Sequence, residues 1–349
     1  ASDVYKRQRY FAEVESRYCE NSIKSAFGEK RMYIGAFDIG GTKTIIALAD
    51  HTGKIYEKEQ FKTDTSDCFR HLERCVQVFQ KLSEKLGLTS DSISGVGVNL
   101  PGIVDRKTGV LIRAVYAGWE NIPVGTYLSE KLKIERILCE NDVNACAVGE
   151  LRFGLGRQYK SFAWFTVSTG VGGAVVCDGR LLRGAHGYAG EFGHLKVEYD
   201  SPEQCPCGEE GCLEAHGSGT AITREIMKKL QEESEFKDEF QKVKQESAGA
   251  ACAVLARNGN RIAQEVYDRA GEYLGRAVSY YVNILDPEAI IIGGGVAASM
   301  DLLKPQMKKA IERCTFSEMR EIKVLPTALG YEAALMGAIA VAVSDIEGR

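Results

Sequence analysis

Two stretches of this 349-residue chain, about 130 residues apart, repeat one pattern: an apolar run, a turn of glycine and threonine, then a second apolar run. The first passes through Tyr33–Phe37, Asp38-Ile-Gly-Gly-Thr42 and Thr44–Ala49, the second through Phe162–Val167, Ser168-Thr-Gly-Val-Gly-Gly173 and Ala174–Cys177. Each reads as an antiparallel hairpin. Self-similarity at this distance points to a duplicated supersecondary unit. The expectation is an α/β protein of two lobes whose turns face each other across a cleft. The length suits two domains of roughly 100–200 residues each.

The remaining periodicities fill in both halves. Ile55–Phe61 predicts a third strand, and Phe69, Leu72, Val76, Phe79, Leu82 and Leu86 fall at helical spacing before a stop at Gly87. Ile93–Leu100 and Arg136–Cys139 read as strands, Val143–Arg152 and Arg261–Leu285 as helices, and Ala289–Ile292 as a strand ending in Gly293-Gly-Gly295. Thr223–Ser247 is dense in charge and reads as a solvated helix face. Tyr331–Val343, rich in Ala and Gly, suits a closely packed buried helix.

Composition narrows the class. With 48 acidic and 44 basic side chains the net charge is −4, which argues against a dedicated binder of nucleic acid or anionic membrane. The longest apolar run, Ala333–Val343, has 11 residues against the roughly 20 needed to span a bilayer. Residues 1–31 are charged, carry no apolar signal core and precede a natural start at Met32, so they are expected to be an extension outside the fold; a partner-binding helix is the competing reading. A soluble, cytoplasmic protein is expected, and eight of its eleven cysteines are scattered singly, as small core residues are in a reducing compartment.

Three features carry chemistry. Gly40-Gly41-Thr42 and Thr169–Gly173 are glycine turns with hydroxyl donors, of the kind whose backbone N–H groups cradle phosphate, although neither fits the phosphate-loop or dinucleotide fingerprints. Either turn alone could be just a hairpin; the pair, with Gly293–Gly295, favours nucleotide. Asp38 could serve a Mg²⁺ ion beside such phosphates or merely form a turn. Asp142 follows a buried strand and opens a helix, where it could be a general base or the helix N-cap. His194, Cys205, Cys207 and Cys212 form H-x10-C-x-C-x4-C, one imidazole and three thiolates, the donor set of a closed structural zinc site.

Taken together, these residues resemble the ROK family of sugar kinases, repressors and open reading frames, within the actin-like ATPase superfamily. The resemblance runs from about Met32 to about Val343. It rests on Asp38-Ile-Gly-Gly-Thr-Lys43, Glu140-Asn-Asp142, Thr169-Gly-Val-Gly-Gly173, Glu191-Phe-Gly-His194, Cys205-Pro-Cys-Gly-Glu-Glu-Gly-Cys212-Leu-Glu214 and the segment Asn283–Gly295. It implies a two-lobe actin-like (ribonuclease H-like) fold with mixed sheets and an interlobe cleft. A small lobe would span 32–143 and a large lobe 144–330, the latter holding the zinc loop 194–212, with the helix at about 331–345 packing back on the small lobe. It further implies that Asp142 is the base, that Asn141, Glu191, His194 and Glu214 bind sugar hydroxyls, and that Gly102 lies against the ring. Asp38, Gly40, Gly41, Thr42, Lys43 and Thr44, with Thr169, Gly170, Gly172 and Gly173, would serve ATP and Mg²⁺, and Gly293, Gly294 and Gly295 would flank the nucleoside. His194 would share its two nitrogens between zinc and sugar. Tyr116, His216, Ser168 and Ala174 depart from the family's usual residues.

The expected activity is ATP-dependent phosphorylation of a hexose, glucose first, by a homodimer. N-acetylmannosamine, N-acetylglucosamine, allose and fructose are the alternative sugars. A sugar-sensing transcription repressor and a sugar-binding pseudokinase are the alternative classes. The first would need a DNA-binding helix-turn-helix ahead of the first expected strand, and none is recognisable in the 37 residues before Asp38.

Overall fold

The computed structural model describes residues 33–346; the extension expected at 1–31 lies outside the described residues. Strands β1 (Tyr33–Ile39), β2 (Lys43–Asp50) and β3 (Ile55–Lys62) form an antiparallel meander, and β4 (Ile93–Leu100) and β8 (Ile137–Asn141) extend it in parallel from β1. The order is β3-β2-β1-β4-β8. A second sheet repeats this with β9 (Phe162–Val167), β10 (Val171–Cys177), β11 (Arg180–Leu182), β12 (Ala289–Gly293) and β13 (Lys323–Pro326), in the order β11-β10-β9-β12-β13 and with the same strand senses. The duplication seen in two hairpins thus extends to five strands on each side.

Both faces of the first sheet are covered, as near-continuous apolar strands require. Phe37 and Ile39 pack with Leu72, Cys75, Val76 and Phe79 of helix α1 (Cys68–Lys85), which is capped by the Asp67 carboxylate accepting from Arg70 N–H at 3.0 Å. Ile34, Ala36, Ala47 and Ala49 on the opposite face pack with Leu335, Ala338, Ile339 and Ala342 of the C-terminal helix (Ala333–Ile346). That approach is close: a Cβ on Gly97 of β4 would lie 1.9 Å from the Ala338 carbonyl oxygen. The expected buried Ala/Gly helix is therefore present.

A three-stranded sheet, β5 (Ile103–Asp105), β6 (Val110–Ala114) and β7 (Trp119–Ile122), follows β4, and helix α2 (Val124–Leu132) leads from it to β8. Helix α3 (Asp142–Phe153) leads from β8 toward the second sheet. Between β11 and β12 lie α4 (Leu213–Gly217), α5 (Gly219–Glu232), α6 (Ser234–Lys242), α7 (Ala248–Arg257) and α8 (Arg261–Leu285); α9 (Met300–Cys314) precedes β13 and α10 is the C-terminal helix. The charged stretch Thr223–Ser247 is not one helix but parts of α5 and α6, broken at Glu233; its sparse apolar residues Ile226 and Phe236 are fully buried in the second core. Among the described residues no helix is long and apolar enough to cross a membrane.

Candidate active site

Asp142 is the first residue of α3, directly after the end of β8, and the cap of that helix is its neighbour. The Asn141 side-chain oxygen accepts from Val143 N–H at 2.9 Å and Asn144 N–H at 3.0 Å, which satisfies two of the N–H groups a helix start leaves open. The Asn141 amide nitrogen donates to the Gly102 carbonyl at 3.0 Å and to Asp142 Oδ1 at 3.1 Å. A carboxamide offers two donor and two acceptor positions, so Asn141 is fully engaged in locking Gly102 and Asp142 to the helix start. Of the two readings of Asp142, the N-cap therefore falls to Asn141.

Burial pushes the Asp142 carboxyl up to about 7, with the nearby Asp38 and Glu191 carboxylates adding to the rise and the Val143 N–H opposing it. Asp38, on β1, is likewise raised, to about 6, by burial and is partly relieved by Lys43. Two carboxyls close enough to sense each other, beside a glycine turn, form an electronegative pocket that favours a cation or a proton.

The first turn is closed by Gly40 N–H donating to the Lys43 carbonyl at 3.0 Å, and the Tyr116 ring packs on it, 3.2 Å from where a Gly41 Cβ would sit. Burial raises the Tyr116 phenol, with the charges of Cys68 and Asp142 adding to the rise. The second turn is narrower than the sequence implied, because β10 begins at Val171 and takes in Gly172 and Gly173. A Cβ on Gly172 would meet the Val143 side chain at 2.8 Å, and one on Gly173 the Phe192 ring at 2.1 Å, so both glycines make room for neighbours from α3 and from the 191–194 segment. The turn is held by the start of α5, where Gly219 N–H donates to the Ser168 carbonyl and Thr220 Oγ1 to the Thr169 carbonyl at 2.8 Å. Gly294 seats on the end of β9, with its Cβ position 2.4 Å from the Val167 carbonyl oxygen, which puts Gly293–Gly295 beside this same turn.

The structure brings the remaining expected residues to the second turn. Glu214 accepts from Val171 N–H at 2.9 Å, and its Oε2 lies 2.4 Å from where a Gly170 Cβ would be. Glu191 Oε2 lies 4.0 Å from His194 Nε2. The other His194 nitrogen, Nδ1, is 3.6 Å from Cys205 Sγ, and Cys207 and Cys212 sulfurs are 3.8 Å apart. Ligand atoms of His194, Cys205, Cys207 and Cys212 all lie within 4.8 Å of one another. Left-handed backbone at Gly208 and Gly211, at φ +91° and +73°, folds the loop back so that its ends pair through Val197 N–H and the Gly211 carbonyl. One imidazole and three thiols converging at this spacing fit a tetrahedral zinc ion.

Asp142 thus stands where both halves meet: the Asp38 carboxyl beside the first turn acts on it electrostatically, and its neighbour Val143 packs against Gly172 at the second. A profile of the ROK family matches residues 34–345. The chain belongs to the ROK family. A glucokinase of Thermotoga maritima is 33% identical over 318 residues, covering 89% of this chain and 97% of that protein. A xylose repressor of Caldicellulosiruptor bescii is 27% identical over 88% of this chain and 77% of that protein. Among solved structures, a ROK family glucokinase from Streptomyces griseus in complex with glucose and AMPPNP superposes with a TM-score of 0.74 at 28% identity, covering 88% of this chain and 98% of that one. The actin-like two-lobe fold is therefore shared with ROK sugar kinases.

The sequence did not indicate the cap role of Asn141 or the Glu214–Val171 bond. The first had a signal, an asparagine at a strand-to-helix junction; the second joins residues 43 apart and had none.

Proposed function

We propose that this protein is an ATP-dependent hexose kinase, with glucose to glucose 6-phosphate as its reaction. The observation that carries the reading is a carboxyl, Asp142, raised to about 7 and fixed between the two glycine turns. A general base is most effective with a pKa near the working pH. In this reading Asn141 holds Asp142 oriented, and Asp142 aligns the sugar hydroxyl and accepts its proton late, as a loose phosphoryl transition state requires. Glu191, His194 and Glu214 bind further hydroxyls, and Gly102 lies under the ring. Asp38, Gly40, Gly41, Thr42 and Lys43 serve the ATP phosphates from one side, Thr169, Gly170, Gly172 and Gly173 from the other, with Gly293–Gly295 at the nucleoside; Thr44, expected among them, is fully buried with its hydroxyl between His71 and Thr63 and supports the turn from behind. Mg²⁺, when bound beside Asp38, neutralises phosphate charge. His194 and the three cysteines hold a structural zinc, which fixes the segment carrying Glu191 and Glu214. The lobes divide at residues 143 and 144, with α10 completing the first.

The test is ADP release coupled to a sugar panel of glucose, N-acetylmannosamine, N-acetylglucosamine, allose and fructose, reporting kcat/KM for each. A tenfold or greater preference for glucose is expected; absence of turnover with every sugar would overturn the kinase reading. The xylose repressor relatives favour one second reading, a sugar-responsive regulator. It requires salt-sensitive, sequence-specific DNA binding by the full chain, which a gel shift measures.

A further inference from the structure

Behind the first glycine turn lies a buried chain of hydrogen bonds that begins at a histidine on α1. Asp64 N–H points at His71 Nδ1 at 3.2 Å; His71 Nε2 is 2.9 Å from Thr44 Oγ1; Thr44 Oγ1 is 2.9 Å from Thr63 Oγ1; and Thr63 Oγ1 donates to the Gly40 carbonyl at 2.7 Å. Thr44, Thr63 and His71 are 0%, 4% and 1% exposed, so no solvent competes along the row.

The two ends of the row fix its direction. A backbone N–H can only donate, so Nδ1 of His71 accepts and the ring proton sits on Nε2. Nε2–H must then donate to Thr44, Thr44 to Thr63, and Thr63 to Gly40, whose carbonyl can only accept. Each group therefore has one consistent role, and the row runs one way without an unsatisfied member. This requires a neutral imidazole, and burial does hold His71 down at about 4. Phe61 and Trp119 close the ring in from two sides, with centroids at 5.7 and 5.9 Å. The Thr63 backbone adds a second tie to the same turn, its N–H donating to the Thr42 carbonyl at 3.0 Å.

We infer that His71 is a positioning residue for nucleotide: through Thr44 and Thr63 it fixes the Gly40 peptide, and hence the direction in which the Gly40–Thr42 turn presents its N–H groups to phosphate. This rests on the nucleotide reading of that turn given above. Preorganised backbone donors lose their value when the peptide that carries them can rotate. The second turn carries a shorter brace of the same kind, the Thr220 hydroxyl on the Thr169 carbonyl.

The experiment compares Thr63→Val, which keeps shape and removes the hydroxyl, with His71→Leu and His71→Gln, whose side-chain amide keeps a donor for Thr44. Affinity for a non-hydrolysable ATP analogue and for sugar is measured by calorimetry, with KM for ATP and for sugar alongside, on proteins whose folding is checked by circular dichroism. Thr63→Val and His71→Leu are expected to weaken the ATP analogue by about five- to tenfold, the effect of one lost hydrogen bond, with sugar affinity unchanged. His71→Gln is expected to restore most of the loss. Unchanged ATP affinity in folded Thr63→Val, or equal losses for ATP and sugar, would overturn the inference while leaving the kinase reading intact. A wild-type protein that binds no ATP analogue would instead remove the nucleotide reading and this inference with it.

Discussion

At the scale of single residues, Asp142 has opposite effects on function and on stability. Its folded pKa of about 7 lies above the ordinary carboxylate value of 3.8, so the folded chain binds the proton more tightly than the unfolded chain. Stability linked to this group is therefore highest below about pH 4 and declines as pH rises through about 7, while the base becomes competent over that same upper range. Asp142→Asn should lower kcat by on the order of 10²- to 10⁴-fold with sugar affinity largely kept, and should raise Tm at pH 8 more than at pH 5. Steady-state kinetics and calorimetric melts at the two pH values check both halves. Equal Tm changes at both pH values would show that the carboxyl is not raised. The sequence displayed Asp142 because a strand-to-helix junction is a local feature. It could not display His71, whose partners Thr44 on β2 and Thr63 just past β3 meet it only in the folded core.

At the scale of elements, β1, β2 and β4 were legible as continuous apolar runs, β3 as a strand beside them, and α1 and α8 from helical spacing. Several places were not, among them α2, α7, α9 and β13, for which no element is expected from the sequence. Residues 103–122 form three strands of three to five residues each, too short for alternation to register. Gly172 and Gly173 look like turn residues in isolation, yet they pair with Thr166 and Phe165 of β9 within β10, and glycine stands there because Val143 and Phe192 occupy the space a side chain would need. The His194/cysteine cluster was legible because ligand type and spacing are themselves the signal, and its four donor side chains do converge. Its stability should depend on the metal, since three thiols and an imidazole at this spacing offer few other contacts: Cys205, Cys212 and Ala215 make up a small core of their own. Metal analysis of freshly purified protein is expected to find about one zinc per chain. Stripping it with a chelator under reducing conditions should lower Tm and raise KM for sugar more than KM for ATP, because the loop anchors His194 and lies next to Glu214. A zinc-free protein with unchanged Tm and sugar KM would show that the cluster does not organise the site.

At the scale of the whole molecule, each glycine turn belongs to a different five-stranded sheet, so a triphosphate held by both needs the two halves at one fixed separation. Ala145 and Val148 of α3 pack on Ala340 and Val341 of α10 across that seam, and among the described residues polar ties cross it too. One is the Glu140 carboxylate at the end of β8, 3% exposed, which accepts from Arg183 of the second half at 2.8 and 3.0 Å, with Arg106 3.8 Å away. Such a pair fixes direction more than it adds net stability, since desolvation offsets much of its attraction. Ligands that bridge both turns are expected to add free energy that draws the halves together, and whichever binds first then bears the cost of ordering them for the second. Urea unfolding in sugar alone, in a non-hydrolysable ATP analogue alone and in both checks this. A ligand at a hundred times its Kd adds about 2.7 kcal/mol if it binds independently. With both present, each at that same multiple of its Kd measured alone, the stabilisation is expected to exceed the sum of the separate gains, and small-angle scattering should show a smaller radius only in that state. Strict additivity with an unchanged radius would mean the halves already stand at their working separation, and that the seam at Glu140 and Arg183 is rigid rather than a hinge.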